Sequence, residues 1–291
     1  MAATDDFRET KVTSSVHALT ANGANIPAIG LGTWTLDDEA ATRLVSEAIN
    51  VGYRHIDTAA MYQNETGVGA GLRSANVPRS EIFLTTKVWY SDIAEGDLQR
   101  SVEASLKRLD VDHLDLVLIH WPSPTVPLAE SIAALNEVGD RGYARNIGVS
   151  NFPVALLEEA VKLSRKPLVC NQVEYHPFLN QDRLLEACRA LGIALVSYCP
   201  LARGSELAAE PAIAAAAERL DRSSAQIVLR WHIQQIGVAA IPRSSRPERI
   251  AENLRVFDFS LSDEEMASIS ALRARGLRIC DFEFSPHWDP V

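Results

Sequence analysis

Short apolar segments alternate with amphipathic ones along most of the chain, and this alternation restricts the fold more than any other feature. A short and largely apolar run such as Leu114–Ile119, which contains Asp115, is typical of a strand buried on both faces of a parallel sheet. Glycines such as Gly52, Gly142 and Gly192 mark the ends of helices. We predict strands at 29–31, 55–57, 82–86, 114–119, 146–148, 170–174, 194–198 and 238–241, with helices near 37–51, 64–75, 95–109, 128–141, 153–163, 180–191 and 223–236.

Eight strand–helix repeats fit a (β/α)8 TIM barrel of the α/β class, but a doubly wound open sheet alternates in the same way. The loop after the first strand reads Gly30-Leu-Gly-Thr-Trp34 and lacks the third glycine of the dinucleotide-binding pattern G-x-G-x-x-G. Polar residues that could take part in catalysis or ligand binding also end many different strands, as a barrel allows. We therefore predict the barrel.

The chain has no low-complexity segment or linker, so we predict one domain over residues 15–291, preceded by a flexible leader over residues 1–14. Asn22-Gly23 lies between two short segments and predicts an N-terminal β-hairpin, because this pair adopts the positive φ that the turn needs. The irregular 275–291 tail carries Phe282, Phe284 and Trp288. It either closes over the barrel mouth or clasps the surface, and a loop over the mouth is our working prediction.

Composition excludes several classes of function. The net charge of −10 argues against a general nucleic-acid binder, which needs a basic surface. No apolar run reaches the roughly 18 residues of a membrane span, and residues 1–11 lack the apolar core of a signal peptide. The four cysteines are scattered without a C-x-x-C pair, which favours reduced thiols and a cytoplasmic protein. No repeated apolar surface stripe stands out, so we expect a monomer.

Ionisable residues end three successive predicted strands. Asp57 ends the second strand, Lys87 follows the third and His120 follows the fourth, while Tyr62 lies just beyond Asp57. In a barrel these ends meet at one rim, where the chemistry of such folds takes place. A structural ion pair would explain Asp57 and Lys87 by themselves, and packing would explain His120 alone. Their coincidence at one rim favours a common site.

This combination suits proton delivery to a carbonyl group. We expect Lys87, held by Asp57, to lower the pKa of the Tyr62 phenol and so improve it as an acid. His120 could hydrogen-bond the carbonyl oxygen and orient it. No nucleophilic serine or cysteine lies beside a base in these segments.

The chain resembles the aldo-keto reductases from Val16 to about Leu272, and most closely the bacterial members similar to 2,5-diketo-gluconate reductase. The resemblance is carried by several specific motifs. They are Gly52-Tyr-Arg-His-Ile-Asp-Thr-Ala with Tyr62, Asn64 and Glu65; Leu118-Ile-His-Trp-Pro122; Gly148-Val-Ser-Asn-Phe152; Asn171-Gln-Val-Glu-Tyr-His-Pro177; and Ile241-Pro-Arg-Ser-Ser-Arg-Pro-Glu-Arg-Ile-Ala-Glu-Asn253.

The resemblance implies NADPH-dependent reduction of aldehydes or ketones, including diketones, keto-sugars and xenobiotic carbonyls, to alcohols. Asp57, Tyr62, Lys87 and His120 match the family's catalytic tetrad, with Tyr62 as the proton donor. The implied cofactor contacts are Ser150, Asn151 and Gln172 at the carboxamide, Tyr198 stacked on the nicotinamide, and Thr33, Trp34, Asp57 and Leu201 elsewhere in the cofactor site.

The loop from Ile241 to Asn253 places three arginines near a helix N-terminus in a protein of net negative charge. Such a cluster suits a phosphate dianion, although a solvated basic turn explains Arg246 equally well. By the resemblance, Arg243, Ser244 and Arg249 hold the 2′-phosphate of NADPH, and Glu252 and Asn253 face the adenine. Arg243 stands where many relatives have lysine, which keeps the positive charge but changes the contact geometry.

Trp34, Trp89 and Trp121, together with His120, match the family's substrate pocket. Packing at a barrel rim explains each tryptophan alone better than a pocket role does. We favour pocket walls because the three come from the ends of strands one, three and four, beside the tetrad. The segments 122–128 and 200–210 are shorter than in the animal relatives, so we expect a wider mouth.

Two other functions compete with carbonyl reduction. An NADPH-binding sensor or structural protein with little turnover would keep the same residues, because an intact tetrad does not establish flux. A metal-dependent hydrolase would use His55, Asp57, His120, His176 and His232, but no H-x-H or H-E-x-x-H spacing is present and we expect no metal.

Overall fold

The structure is a computed structural model that describes residues 17–202 and 204–290. The predicted leader and Val16 lie outside these residues. The strands in the described ranges are β1 Ala18–Ala21, β2 Ala24–Pro27, β3 Leu31–Gly32, β4 His55–Asp57, β5 Phe83–Val88, β6 Leu114–Ile119, β7 Ala144–Ser150, β8 Leu168–Glu174, β9 Ala194–Tyr198 and β10 Val238–Ala240. The α-helices are α1 Asp38–Asn50, α2 Glu65–Ser74, α3 Asp97–Leu109, α4 Leu128–Asp140, α5 Val154–Leu163, α6 Asp182–Ala190, α7 Ser205–Ala208, α8 Pro211–Leu220, α9 Ser224–Ile233, α10 Pro247–Leu254 and α11 Asp263–Ala271.

Strands β3 to β10 form one parallel sheet in chain order, and the sheet closes on itself. Closure occurs where the backbone before β3 meets β10. Ala240 accepts a hydrogen bond from the Gly30 amide at 2.9 Å and donates one to the Ala28 carbonyl at 2.9 Å. Helices cover the outside, so the prediction of a (β/α)8 barrel is confirmed.

The hairpin β1–β2 is present as predicted and closes the amino end of the barrel. Ile26 is fully buried and packs with barrel-interior residues such as Leu118 and Val196. Asn22, at the hairpin turn, donates from Nδ2 to the Leu168 carbonyl at 2.8 Å, at the start of β8. The opposite, carboxyl end therefore remains as the open end.

The element boundaries agree closely with the sequence analysis, with two kinds of difference. Strand β5 continues to Val88, so Lys87 lies inside the strand rather than after it. Helices α7, α8 and α11 are absent from the prediction. In α8 alanines occupy five of the ten positions, which leaves no distinct apolar stripe, whereas α11 carries a readable capping box between Ser262 and Glu265.

The C-terminal tail crosses the carboxyl end of the barrel. Phe284 stacks on Tyr90 at 4.7 Å between ring centroids and packs edge-on against Trp89 and Trp121 at 5.4 and 5.3 Å. Of the two alternatives for the tail, the loop over the mouth is the correct one. It narrows the mouth that the short loops were expected to leave wide.

None of the helices described by the structure is both long enough and apolar enough to cross a membrane.

Candidate active site

Lys87 connects two of the predicted catalytic residues at the carboxyl end of the barrel. Its ammonium group donates to Asp57 Oδ1 at 2.5 Å, to the Thr58 carbonyl at 2.9 Å and to the Tyr62 hydroxyl at 3.3 Å. Lysine has three donor protons, so each is used. Lys87 and Asp57 are almost fully buried. The Asp57 carboxylate balances the charge of the Lys87 ammonium group and holds that group beside the phenol.

Tyr62 is aimed at this cation by a short 3-10 turn, Ala60–Tyr62, that follows the end of β4. The turn stops at Gln63, which adopts a left-handed φ of 57°. Buried Asn64 then ties the segment to the first βα loop by donating to the carbonyls of Thr33 and Leu36 at 2.8 and 2.9 Å. The phenol is consequently held by a rigid loop on a barrel scaffold.

Lys87 acts on the pKa of Tyr62 in the expected direction and lowers it, but its effect is not the largest one. Burial raises the pKa of Tyr62 above its usual 10.0, and the opposing effect of Lys87 does not cancel this. For Lys87, burial lowers the pKa, but the Asp57 carboxylate more than compensates and the pKa is raised. Tyr62 therefore keeps its proton, and Lys87 its charge, at neutral pH.

His120 lies beside Tyr62, with the ring centroids 5.7 Å apart in an edge-to-face arrangement. Burial, together with the nearby Lys87 cation, lowers the pKa of His120 well below 6.5. The imidazole is thus neutral at pH 7. Its Nδ1 atom is buried and has no hydrogen-bond partner among the described residues. A neutral imidazole can donate a hydrogen bond to a carbonyl oxygen without itself adding a charge.

The residues assigned to the carboxamide and to the nicotinamide ring lie together near the ends of β7, β8 and β9. Ser150 donates to the Gln172 carbonyl at 2.7 Å, and the Tyr198 hydroxyl donates to Asn151 Oδ1 at 2.7 Å. Gln172 crosses the mouth and donates from Nε2 to Asp57 Oδ2 at 2.7 Å. This amide links the carboxamide site to the Asp57–Lys87 pair, a contact that spacing in the sequence does not reveal.

The phosphate-site residues surround the start of α10. Arg243 is exposed and donates from Nε to the Trp34 carbonyl at 3.3 Å, while Arg249 pairs with Glu252 at 2.8 Å. The Oδ1 atom of Asn253 is buried without a hydrogen-bond partner in the described chain. An unpaired buried acceptor is costly, and the amino group of an adenine is a suitable donor. The cationic side chains and this acceptor therefore fit an adenine nucleotide that carries an additional phosphate.

The other residues assigned to the cofactor have different surroundings. Thr33 is fully buried and donates to the Asp57 carbonyl at 3.1 Å, so it supports the loop that precedes Tyr62. Leu201 is partly buried against the main core. Trp34 is 42% exposed at the rim, which leaves its ring accessible to a ligand.

Trp89 and Trp121 line the mouth above His120. Trp89 meets His120 edge-on at 5.1 Å, and Trp121 is nearly fully buried. Phe284 joins the two tryptophans, and Tyr90 backs it. Tyr90 was not among the candidate residues, because a tyrosine in a loop carries no signal that separates it from other surface aromatics.

The metal-site hypothesis finds no geometric support. His176 lies 2.8 Å from the Glu174 carboxylate, and buried His232 lies within hydrogen-bonding distance of the carbonyls of Val228 and Tyr175. His55 contacts Thr85 in the barrel interior. No cluster that could hold a metal ion occurs among the described residues.

Comparison with known proteins agrees with this geometry. The sequence model described as "Aldo/keto reductase family" matches residues 28–274, which is most of the chain. The chain belongs to the aldo/keto reductase family. As a member, it is an NADP(H)-dependent oxidoreductase.

Two curated relatives are similar over most of their length. An aldo-keto reductase from Mycolicibacterium smegmatis is 44% identical over 252 residues, covering 86% of this chain and 91% of the relative. Glyoxal reductase from Bacillus subtilis is 45% identical over 253 residues, covering 86% and 90%.

Solved structures of the family have the same fold. A putative 2,5-diketo-D-gluconic acid reductase B superposes with a TM-score of 0.92 at 42% identity, covering 95% of this chain and 99% of that one. The aldo-keto reductase of Bombyx mori, solved in complex with NADP, gives a TM-score of 0.85 at 35% identity, covering 91% and 94%.

Proposed function

We propose that this aldo/keto reductase reduces aldehydes and ketones with Tyr62 as the proton donor and Asp57, Lys87 and His120 as its catalytic partners. One observation carries the assignment. The Lys87 ammonium lies between the buried Asp57 carboxylate, at 2.5 Å, and the Tyr62 hydroxyl, at 3.3 Å. A protonated acid and a fixed cation therefore lie side by side. Such an arrangement supplies a proton where an alkoxide would develop.

NADPH supplies a hydride to the carbonyl carbon when it is bound. The remaining steps belong to the chain. Neutral His120 donates a hydrogen bond to the carbonyl oxygen and orients it. Tyr62 transfers its hydroxyl proton to that oxygen as negative charge develops, and Lys87 stabilises the resulting phenolate. Asp57 keeps Lys87 charged within the buried site.

The nucleotide would be held at two regions. Ser150, Asn151 and Gln172 offer hydrogen bonds to the carboxamide, and Tyr198 offers its ring to the nicotinamide. At the other region Arg243, Ser244 and Arg249 would hold the 2′-phosphate, and Glu252 and Asn253 the adenine, with Thr33, Trp34 and Leu201 between the two. In a chain with a net charge of −10, this local cationic cluster is the natural phosphate site.

For substrates we propose small dicarbonyls and keto-sugars, and also xenobiotic aldehydes. The relatives named glyoxal reductase and putative diketogluconic acid reductase support the first two classes. The third class is supported by Trp89, which packs edge-on against His120; we propose that Trp89, Trp121 and Trp34 form the walls of the carbonyl site, because aromatic walls favour planar apolar groups.

We further propose that residues 15–291 act as a single-domain monomer in the cytoplasm. Large exposed apolar residues far from the mouth, such as Val51, Leu163 and Ile236, are scattered along the described chain, which supports a monomer. Two buried free thiols, Cys170 and Cys188, support a reducing compartment. Analytical ultracentrifugation and cell fractionation would test these two proposals.

The decisive experiment compares the wild type with Tyr62→Phe, which removes only the hydroxyl. We expect loss of turnover of about three orders of magnitude, the range of a lost general acid, with NADPH affinity within about twofold. Nucleotide fluorescence measures binding, and NADPH consumption with a panel of carbonyls measures turnover. Full activity of the variant would contradict the assignment of Tyr62. Tight NADPH binding without turnover in the wild type would favour the sensor function, for which the comparisons give no support.

A further inference from the structure

Glu174, at the carboxyl end of β8, has a fully buried carboxylate that plays no part in the chemistry described above. Its Oε1 accepts a hydrogen bond from the Ile279 amide at 2.7 Å and lies 2.8 Å from His176 Nε2. Its Oε2 accepts from the Cys280 amide at 2.6 Å. Burial raises the pKa of Glu174, but these hydrogen bonds outweigh burial and lower it, so the group is charged at neutral pH.

The two amides belong to the tail that crosses the mouth, residues 277–289, which we call the strap. Its far end is also fixed, because Asp289 accepts from the Val154 amide, at the start of α5, at 2.9 Å. The two ends also contact each other, because the Arg278 guanidinium lies 3.8 Å from the ring centroid of Trp288. Trp288 in turn donates to Asp281 at 2.9 Å. The strap is thus attached to the barrel at both ends, and its two ends are joined to each other.

The strap presents its aromatic residues to the substrate side of the site. Phe284 contacts Trp89, and Trp89 contacts His120, so Phe284 forms a second layer outside the proton-transfer residues. We therefore expect a carbonyl compound of a few atoms held at His120 to contact Trp89 but not the strap. We expect a longer apolar compound to reach Phe284, which packs on Trp89, and Phe282, which packs on Trp121.

We propose that Glu174 is a positioning residue that sets substrate preference by holding the strap as the outer wall of the carbonyl site. This proposal rests on the proposed carbonyl reduction. Charge-assisted hydrogen bonds to backbone amides are about twice as strong as neutral ones, which suits a permanent anchor. Glu174 is paired with Tyr198 in the β8–β9 register and lies two residues after Gln172, so the wall is anchored to the strand that carries the carboxamide site.

Glu174→Gln tests the proposal, because it keeps the side-chain size but replaces one acceptor oxygen with an NH2 group. With an aromatic aldehyde we expect KM to rise about tenfold and kcat to stay within about threefold. With glyoxal, and for the Kd of NADPH, we expect changes within about twofold. Limited trypsin digestion adds a readout independent of turnover, since cleavage after Arg278 requires release of Ile279. We expect that cleavage, followed by mass spectrometry, to be about tenfold faster.

Two further variants make the result specific. Glu186→Gln makes the same change at an exposed position on α6 and should alter none of these quantities. Ile279→Pro removes one of the same hydrogen bonds from the strap side and leaves the buried carboxylate beside His176. It should reproduce the selective rise in KM, and this readout decides the matter if Glu174→Gln does not fold by circular dichroism. The digestion is not applied to this variant, because trypsin does not cleave an arginyl–prolyl bond.

Parallel changes in KM for both substrates, or a weaker NADPH affinity, would overturn the proposal, because Glu174 would then support the whole site. Unchanged cleavage after Arg278 would also overturn it. Absence of turnover in the wild type would instead overturn the proposed function, and the role in substrate preference with it. The digestion would still show whether Glu174 anchors the strap.

Discussion

At the scale of single residues, the chemistry depends on the three hydrogen bonds that Lys87 donates to Asp57, Thr58 and Tyr62. The residue types of Asp57, Tyr62 and His120, and their positions at or just beyond strand ends, are readable from the sequence. Two features are not. The direction of the Tyr62 pKa depends on how strongly burial outweighs the cation, and the bond from Gln172 to Asp57 joins strands on opposite sides of the barrel. Both depend on three-dimensional surroundings that local spacing does not encode.

Replacing Lys87 with methionine should reduce kcat by about three orders of magnitude. The change removes the cation that stabilises the phenolate and leaves Asp57 buried without its ionic partner. NADPH affinity should stay within about threefold, measured by fluorescence titration. Lys107→Met, on the exposed side of α3, is the matched control. A kcat near that of the wild type would show that Tyr62 works without the cation.

The pH profile of carbonyl reduction should be flat across neutral pH and fall only in the alkaline range. Reduction needs the protonated Tyr62, whose pKa is raised above 10.0, so activity is present below that pH and is lost above it. His120 stays neutral because its pKa is lowered well below 6.5, so it adds no change between pH 7 and pH 9. Steady-state kcat over this range, with protein stability followed in parallel, is the measurement. A midpoint near neutral pH would contradict this account.

Gln172→Leu should affect both binding and turnover. The substitution removes a donor to the carboxamide site and also the donor to Asp57 Oδ2. We expect the Kd of NADPH to rise about tenfold and kcat, at saturating NADPH, to fall about tenfold. Ser150→Ala is the comparison, because Ser150 has no contact with Asp57; it should raise the Kd but largely spare kcat. Equal kcat in the two variants would argue against a role of Gln172 in orienting Asp57.

Among the secondary-structure elements, α2 depends on unusually close packing. A Cβ atom at Gly67 would lie 2.3 Å from the Asp38 carbonyl oxygen, and one at Gly69 would lie 2.2 Å from the Leu109 carbonyl oxygen. Both contacts involve backbone, which cannot move aside as a flexible side chain can. Helix α2 is therefore held against α1 and α3 by positions without side chains. It follows directly on the Tyr62 turn, so this packing also fixes the site.

Gly69→Ala should lower the free energy of unfolding by about 1–3 kcal/mol, the usual cost of overpacking. Alanine favours helix formation over glycine, so a loss of stability would have to come from the contact with Leu109. Thr66→Ala changes an exposed residue of the same helix and should be nearly neutral. Chemical denaturation monitored by circular dichroism compares the two. A stabilised Gly69→Ala would mean that α2 and α3 can separate at little cost.

The elements themselves were predictable where apolar periodicity is strong, as in β4, β6 and β9, whose bounds match the predictions. Helix α8 was missed because a run of alanines has no polar face to contrast with. The course of the strap was left open for another reason. It is set by the buried Glu174 and by contacts with Trp89 and Trp121, all far away in sequence.

Over the whole molecule, the arginines of the 241–253 segment form a local positive cluster in a chain whose net charge is −10. Arg249→Ala should raise the Kd of NADPH about tenfold and leave that of NADH within about twofold, because only NADPH carries the 2′-phosphate. Arg255→Ala removes an equal charge from an exposed position just beyond α10 and is the control. Added salt should weaken NADPH more than NADH binding in the wild type. Equal losses for both nucleotides would place the arginine elsewhere on the cofactor.

The hairpin and the strap lie at opposite ends of the barrel. A tag or support can therefore be attached on the hairpin side without blocking the entry of ligands on the strap side. A purification tag or surface linker placed ahead of the hairpin would lie on the closed side, where Asn22 contacts Leu168. The same tag placed after Asp289 would hang beside the opening and compete with incoming molecules for space. Attachment to a solid support through the hairpin side should accordingly orient every molecule with its opening toward the solution.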